Sequence, residues 1–285
     1  MAAALSIVFP VIGRTQEVIA VLSSDLGPYR EAFEGFQESF KRPVSLFNLS
    51  ERAPKIGEKT RLVVTFGGKA AQWTYPDQVI LIYCMAPGTR LDLKGRKGRL
   101  IEIQMLPPPA SVLSRLKEIQ PPLKRLAAFW ASTSMKEYIE ETERISPSFG
   151  IKILSERLGG PNEFPDRLRA LFYGSVDALW LLPDPLLIGA QSLSALKEFS
   201  WSNQIPLYVP TAGLVEQGGT ASISSSFREI GRAAAIAAGH ALAGEPIQGA
   251  LYPEKPEVTL SVTSAEKTGL KIPSRALENA DKVLP

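Results

Sequence analysis

Residues 119–131 read Ile-Gln-Pro-Pro-Leu-Lys-Arg-Leu-Ala-Ala-Phe-Trp-Ala, and the architecture hinges on this stretch. Pro121-Pro122 cannot continue the helical pattern of Ala110–Ile119 that precedes it, because proline lacks the N–H and restricts the residue before it. The run Leu126–Ala131 beyond it is apolar without alternation, as expected of a strand covered on both faces. Past the prolines a series begins: helix Met135–Ile145, strand Ile151–Leu154, helix Asn162–Phe172, strand Ala178–Leu182, helix Ser192–Trp201, strand Pro206–Val209. Short apolar runs alternating with amphipathic helices are the signature of parallel α/β structure.

Ahead of the prolines a comparable series runs. Strand Val18–Ser23 leads to helix Pro28–Phe40, where Tyr29, Phe33, Phe36 and Phe40 recur at helical spacing to face a sheet. Strands Val44–Leu49, Leu62–Phe66, Val79–Met85 and Leu100–Met105 come next, and Pro107-Pro108-Pro109 opens the helix Ala110–Ile119. Two βα series predict two similar lobes, and 285 residues exceed the roughly 100–150 of one ordinary core. Thr220–Ser224, helix Phe227–Leu242 and Val258–Val262 read as connections crossing between lobes. The expected boundaries are 17–122 plus 226–248 for one lobe and 123–225 plus 249–285 for the other.

Composition narrows the chemistry. The chain is 45% hydrophobic and 21% charged with a net charge of +3, so nothing global calls for nucleic acid or an anionic membrane. Cys84 stands alone inside an apolar run and reads as a small core hydrophobe. Zinc sites and Ser–His or Cys–His machinery usually draw on histidine, and the single one here, His240, stands far in sequence from any candidate nucleophile. No Gly-rich dinucleotide fingerprint follows Val18–Ser23, where Ser-Ser-Asp-Leu-Gly-Pro stands, and no phosphate-binding GxxxxGK[ST] loop or G-x-S-x-G elbow occurs. Catalysis is not expected, and no cofactor or metal is called for. Gly88–Arg99, carrying Arg90, Lys94, Arg96, Lys97 and Arg99, reads as a solvated turn, with an anionic partner surface as the alternative. Met1–Gly13 has the length of a signal-peptide apolar region but lacks a basic start and a clean cleavage site. It reads either as the remnant of an export signal or as a short buried strand.

The C-terminal third carries a family resemblance. Pro206-Leu207-Tyr208-Val209, Gly213-Leu214-Val215 with Gly218-Gly219, Phe227–Ala234, Gly244-Glu245-Pro246, Thr268–Pro273 and the ending Arg275-Ala276-Leu277 to Ala280–Val283 stand in the family's order. Leu113–Ala131 is similar to its step into the second lobe, and Leu182-Pro183-Asp184-Pro185 to its acidic turn. The chain thus resembles the ABC-transporter substrate-binding proteins that include tryptophan- and other aromatic-amino-acid-binding lipoproteins. The resemblance implies a type I periplasmic-binding-protein fold: two Rossmann-like lobes with parallel sheets, three hinge crossings and a ligand between them. The first half departs from the family. Ser50–Thr60 is too short and polar for the helix the family carries there, and the basic turn replaces a segment that contributes to the cleft.

In such sheets ligands sit beyond the carboxyl ends of the strands, where helix N-termini expose backbone donors. The candidate contacts are therefore Ser23, Ser24 and Asp25 after the first strand and Gly67 and Gly68 after the third. In the second lobe they are Ser132 and Thr133 after its first strand, with Ser134 beside them, then Asp184 and Thr211. Each has a plain structural role too: the hydroxyls and Asp25 as helix caps, Gly67-Gly68 as a strand end, Asp184 as a turn residue. As a ligand contact Asp184 would pair with an ammonium. Trp130, Tyr83 and Trp73 are candidates to stack on a ligand ring. The resemblance implies an extracytoplasmic solute-binding protein of an ABC importer. Its partners would be a small ligand, an amino acid or similar, and a permease, with no nucleic acid and the protein monomeric. A sensing or scaffold module of the same fold is the alternative.

Overall fold

The computed structural model describes residues 17–89, 91, 95–174, 176–247 and 251–285. Met1–Gly13, Arg90 and Lys94 lie outside them, as does the expected lobe boundary at residues 248–249. Two sheets organise the chain.

The first sheet has five parallel strands: β1 (Val18–Leu22), β2 (Ser45–Asn48), β3 (Leu62–Phe66), β4 (Ile80–Cys84) and β5 (Leu100–Ile103), in the order β2-β1-β3-β4-β5. Every residue of β1 and β3 is buried, which is why those runs lack alternation. Helix α1 (Gly27–Phe40) starts on Pro28 and ends at Lys41 in a left-handed conformation. It lays Phe33, Phe36 and Phe40 on the sheet, with Phe33 and Phe36 edge-on to Phe66. Beside it runs α8 (Phe227–Ala243), far away in sequence, whose Ile230 and a row of alanines join the same core. Gly35 and Gly231 permit this approach: a Cβ on either would overlap a backbone carbonyl of the other helix, Arg228 or Ala32. Among the described residues, the opposite face of the sheet is covered by α2 (Gly68–Ala71) and by loops carrying Tyr75, Ile56 and Leu91.

The second sheet has seven strands: β6 (Arg125–Trp130), β7 (Lys152–Arg157), β8 (Ala178–Leu181), β9 (Leu207–Val209), β10 (Ala221–Ser225), β11 (Pro256–Ser261) and β12 (Lys282–Leu284). Their order is β12-β11-β10-β9-β8-β6-β7. All pairings are parallel except β10–β11, because β11 returns from the first lobe in the opposite direction. Helices cover both faces. On one side lie α3 (Pro109–Ile119) and α4 (Lys136–Ile145); on the other lie α5 (Phe164–Gly174), α6 (Ala190–Asn203) and α7 (Ala212–Glu216). The short helices α9 (Val262–Lys267) and α10 (Ser274–Glu278) complete the tail.

Helix α3 departs from the expected boundary at residue 122. Its Val112, Leu113, Leu116 and Ile119 are buried with Leu126, Tyr208 and Leu260, so its apolar face belongs to the second sheet's core. Proline sets where the helix stops, but the helix packs with the strands beyond the break. Three crossings join the lobes: residues 104–108, Ser226, and the return segment ahead of β11. Ser226 caps α8 by accepting from the Glu229 N–H, a Ser-x-x-Glu pattern that marks the helix start. The first and third crossings are tied together, the Gln104 N–H donating to the Leu251 carbonyl at 2.8 Å.

Two cations of the basic turn, Arg96 and Arg99, are engaged within their own lobe. Arg96 donates to the Val79 carbonyl, and Arg99 to the carbonyls of Ala241 and Glu245 at the end of α8, where a cation complements the helix dipole. Among the described residues no helix is long and apolar enough to cross a membrane.

Candidate functional site

A cavity of about 200 Å³ opens between the carboxyl ends of the two sheets. The first lobe contributes Gly88 and Thr89 from the loop after β4, and Glu102 and Gln104 from the end of β5. The second contributes Thr133 and Ser134 from the turn between β6 and α4 and Glu137 and Tyr138 from the start of α4, and Tyr252 of the third crossing completes the lining. It is smaller than the roughly 300–1,000 Å³ of drug-sized sites, which matches a compact solute. A narrow slot lined by Tyr83, Pro87, Met105, Met135 and Pro183 adjoins it.

Backbone shape at the loop after β4 brings the lobes together. Met85 (φ 55°) and Gly88 (φ 72°) both adopt the left-handed region, which costs a non-glycine residue about 1–2 kcal/mol. Strain held at such a spot accompanies functional geometry. The result carries Gly88 to the other lobe: a Cβ there would stand 3.4 Å from Pro185 Cγ and 3.9 Å from Ser134 Oγ. The cleft mouth is therefore nearly shut on that side.

Electrostatics inside the cavity are acidic. The Tyr83 hydroxyl donates to Glu102 Oε2 at 2.8 Å, the two residues being neighbours in the β4–β5 register. Burial is the main cause that raises the Glu102 carboxyl above its ordinary range; the Tyr83 bond opposes this and Glu137, across the cleft, adds to it. Tyr252 donates to Glu141 Oε2 at 3.0 Å and Tyr138 to the Pro107 carbonyl at 3.0 Å. Burial pushes the phenols of Tyr83, Tyr138 and Tyr252 upward, so all three stay protonated donors.

Of the residues expected from sequence, Thr133 lines this cavity, with its neighbour Ser134. Gly68 comes close, since a Cβ on it would stand 3.3 Å from Thr89 Oγ1. The others are placed differently. Ser23 is buried and its Oγ accepts from the Ala70 N–H at 2.9 Å, serving α2. Gly67 (φ 98°) is buried where a side chain would overlap Ser23 Oγ and the Tyr29 ring, so it lets the chain turn. Ser24 is half-buried and Asp25 is exposed, paired with Arg30. Thr211 is exposed at the start of α7, its carbonyl accepting from Leu214 and Val215.

Asp184, expected to meet a ligand ammonium, is fully buried and spent inside its own lobe. Its Oδ2 accepts from the Ala131 and Ser132 N–H groups at 2.7 Å each and from Ser132 Oγ at 3.0 Å, while Oδ1 accepts from the Leu186 N–H at 3.0 Å. The carboxylate fastens the end of β6 to the loop after β8 and so positions Thr133 and Ser134 at the cavity. Ser132 serves the same knot, its Oγ also bonded to Ser134 Oγ. Trp130 packs against the second core with Arg157 over its ring, and Trp73 is exposed in the loop after α2, neither lining the cavity.

Glu102, Gln104, Glu137, Tyr138, Tyr252 and Thr89 escaped the sequence reading. Glu102 and Gln104 carried a signal: two polar side chains two apart in Leu100–Met105 must share one face of the strand. No group of three His, Cys, Asp or Glu side chains among the described residues is arranged to hold a metal ion.

Comparisons with known proteins agree with this architecture. No curated protein sequence matches the chain. The solved ABC domain in complex with L-Trp from Streptococcus pneumonia is similar at 18% identity, covering 94% of this chain and 100% of that one, with a TM-score of 0.60. A ligand-free, open substrate-binding protein with adhesive properties from Clostridium difficile covers 94% and 98% at 16% identity, TM-score 0.65. A periplasmic binding ribose operon repressor from Lactobacillus acidophilus covers 85% and 97% at 14% identity, TM-score 0.51. At these identities the likeness concerns fold, the type I periplasmic-binding-protein architecture. The profile of the ABC transporter substrate binding proteins matches residues 110–284, more than half of the chain. The chain belongs to the ABC transporter substrate-binding protein family.

Proposed function

We propose that the chain is the solute receptor of an ABC importer, closing its two lobes on a small ligand and presenting the closed form to a permease. The observation that carries this reading is the cavity at the strand ends, walled by Thr89, Glu102 and Gln104 from one lobe and Thr133, Ser134 and Glu137 from the other. A ligand touching both walls stabilises the closed arrangement over the open one by its differential contacts. Crossings tied at Gln104 and Leu251 provide the pivot. In this reading the protein works outside the cytoplasm as a monomer, and no bond is made or broken.

The test is thermal melting of the purified protein against amino acids, amines, purines, small sugars and peptides. A specific ligand at 100 times its dissociation constant stabilises the fold by about 2.7 kcal/mol, an upward shift of several degrees. The same ligand should shrink the radius of gyration in solution scattering. A cooperative melt that no solute moves would overturn the reading.

A further inference from the structure

We propose that the ligand of this cavity is an organic cation, an amine whose ammonium sits between Glu102 and Glu137 and which carries no carboxylate. The inference rests on the receptor reading above and names the chemistry that the site selects.

Three observations converge. First, the charged side chains among the described lining residues are both acidic, and they come from opposite lobes. Glu102 is half-buried, and its Oε2 is engaged by Tyr83 while Oε1 accepts from no described residue. Glu102 and Glu137 face one cavity from opposite lobes, and like charges in a partly desolvated cleft oppose one another unless a cation stands between them. An ammonium satisfies both at once; a carboxylate adds a third negative charge.

Second, the phenol donors at and beside the cavity are committed, and the other donor side chains on its wall, Thr89, Gln104, Thr133 and Ser134, are neutral. Tyr83, Tyr138 and Tyr252 give their hydroxyl protons to Glu102, Pro107 and Glu141 respectively. What Tyr138 and Tyr252, which line the cavity, present to it is lone pairs and ring faces. The rings of Tyr138 and Tyr252 lie 6.2 Å apart, tilted by 60°, and aromatic faces attract ammonium groups.

Third, the helix end that would favour an anion is already occupied. Helix α4 starts at the cavity, but Glu137 stands in its first turn. A full negative charge there outweighs the roughly half positive charge of a helix N-terminus. The balance at the α4 end of the cavity is negative.

Isothermal titration with matched pairs decides the matter: tyramine against tyrosine, tryptamine against tryptophan, agmatine against arginine, putrescine against ornithine, choline against glycine betaine. In at least one pair the amine should bind and its carboxylate-bearing counterpart should bind about tenfold more weakly or worse. Glu102→Gln keeps an acceptor for Tyr83 and should lose that amine's binding while melting as cooperatively as the parent. A carboxylate-bearing member that matches or beats its amine overturns the cation assignment and leaves the receptor standing; it would also direct attention to Arg90, next in sequence to Thr89. Undiminished binding of the amine to Glu102→Gln overturns it as well. Silence across both halves of every pair overturns the cation assignment as well; the receptor reading falls only if the purines, sugars and peptides of the melting panel are also silent.

Discussion

The two lobes are built on one plan and finished to different degrees. In the second, helices cover both faces of a seven-stranded sheet, α3 and α4 on one side and α5, α6 and α7 on the other. In the first, α1 and α8 cover one face of a five-stranded sheet, and among the described residues the other carries the four-residue α2 and loops. Ser50–Thr60 runs as irregular chain in the place of a helix. The family profile begins at residue 110, on the near side of this difference. The scaffold of the second lobe is thus shared family property, while Gly88, Thr89, Glu102 and Gln104, four of the nine described lining residues, lie ahead of the matched span. In the proposed receptor reading, this wall is where the cleft's selectivity would differ.

The contrast between the lobes meets its hardest test when they are separated energetically. The large core of the first lobe depends on the contact of α1 with α8, where Gly231 faces the Ala32 carbonyl. Gly231→Leu forces the helices apart and should cost about 3 kcal/mol or more, since overpacking against backbone has no flexible neighbour to yield. Calorimetry should then show an early transition for the first lobe and a later one for the second. A single transition displaced as a whole would mean that the crossings couple the lobes into one cooperative unit.

A smaller effect tests the second lobe. Asp184→Asn replaces one carboxylate oxygen with a donor in a pocket that supplies four donors, leaving at least one buried group unpaired. The expected cost is about 1–3 kcal/mol, read as a lower midpoint in urea with an unchanged slope. Because the knot positions Thr133 and Ser134, ligand affinity should fall together with stability. Lost binding at unchanged stability would instead place Asp184 on the ligand.

Periodicity accounts for most of what was legible in the sequence. Unbroken apolar runs such as Val18–Leu22 and Leu62–Phe66 announced parallel strands, and the aromatic spacing of Phe33, Phe36 and Phe40 gave the buried face of α1. Pro121-Pro122 marked the restart of the pattern, yet it could not say on which sheet the preceding helix lies, because that depends on packing distant in sequence. Asp184 shows the same limit at a single residue. Its place at a strand end was legible, but the direction of its carboxylate is decided by the N–H groups of Ala131 and Ser132, some fifty residues earlier. Antiparallel β11 and Tyr252 belong to the return from the first lobe, a segment with no periodicity to read. Glu102 and Gln104 were within reach, since two polar residues on one face of an apolar strand end need a reason.

The gentlest perturbation of the first-lobe wall is pH, and its sign can be worked out at Glu102. Burial raises this carboxyl in the folded state above its ordinary value of about 4.3. The folded protein therefore holds the proton more tightly than the unfolded chain. The stability that this contributes is complete below the ordinary value and is lost as pH rises through the raised one. The groups that face Glu102 are Tyr83 from β4 and Glu137 from α4; the first favours its ionised form and the second opposes it. Glu102→Gln should flatten that part of the stability–pH profile and leave the protein no less stable at neutral pH, which a series of urea melts on both proteins would show. An ammonium in the cavity acts the other way, because it favours ionised Glu102. Amine binding should therefore strengthen as pH rises through the same window, with proton release in titrations run in buffers of different ionisation enthalpy. A steeper loss of stability in Glu102→Gln than in the parent over that window would mean that the first-lobe wall is held by the Glu102 charge rather than strained by it, and the acidic cavity would then be structural.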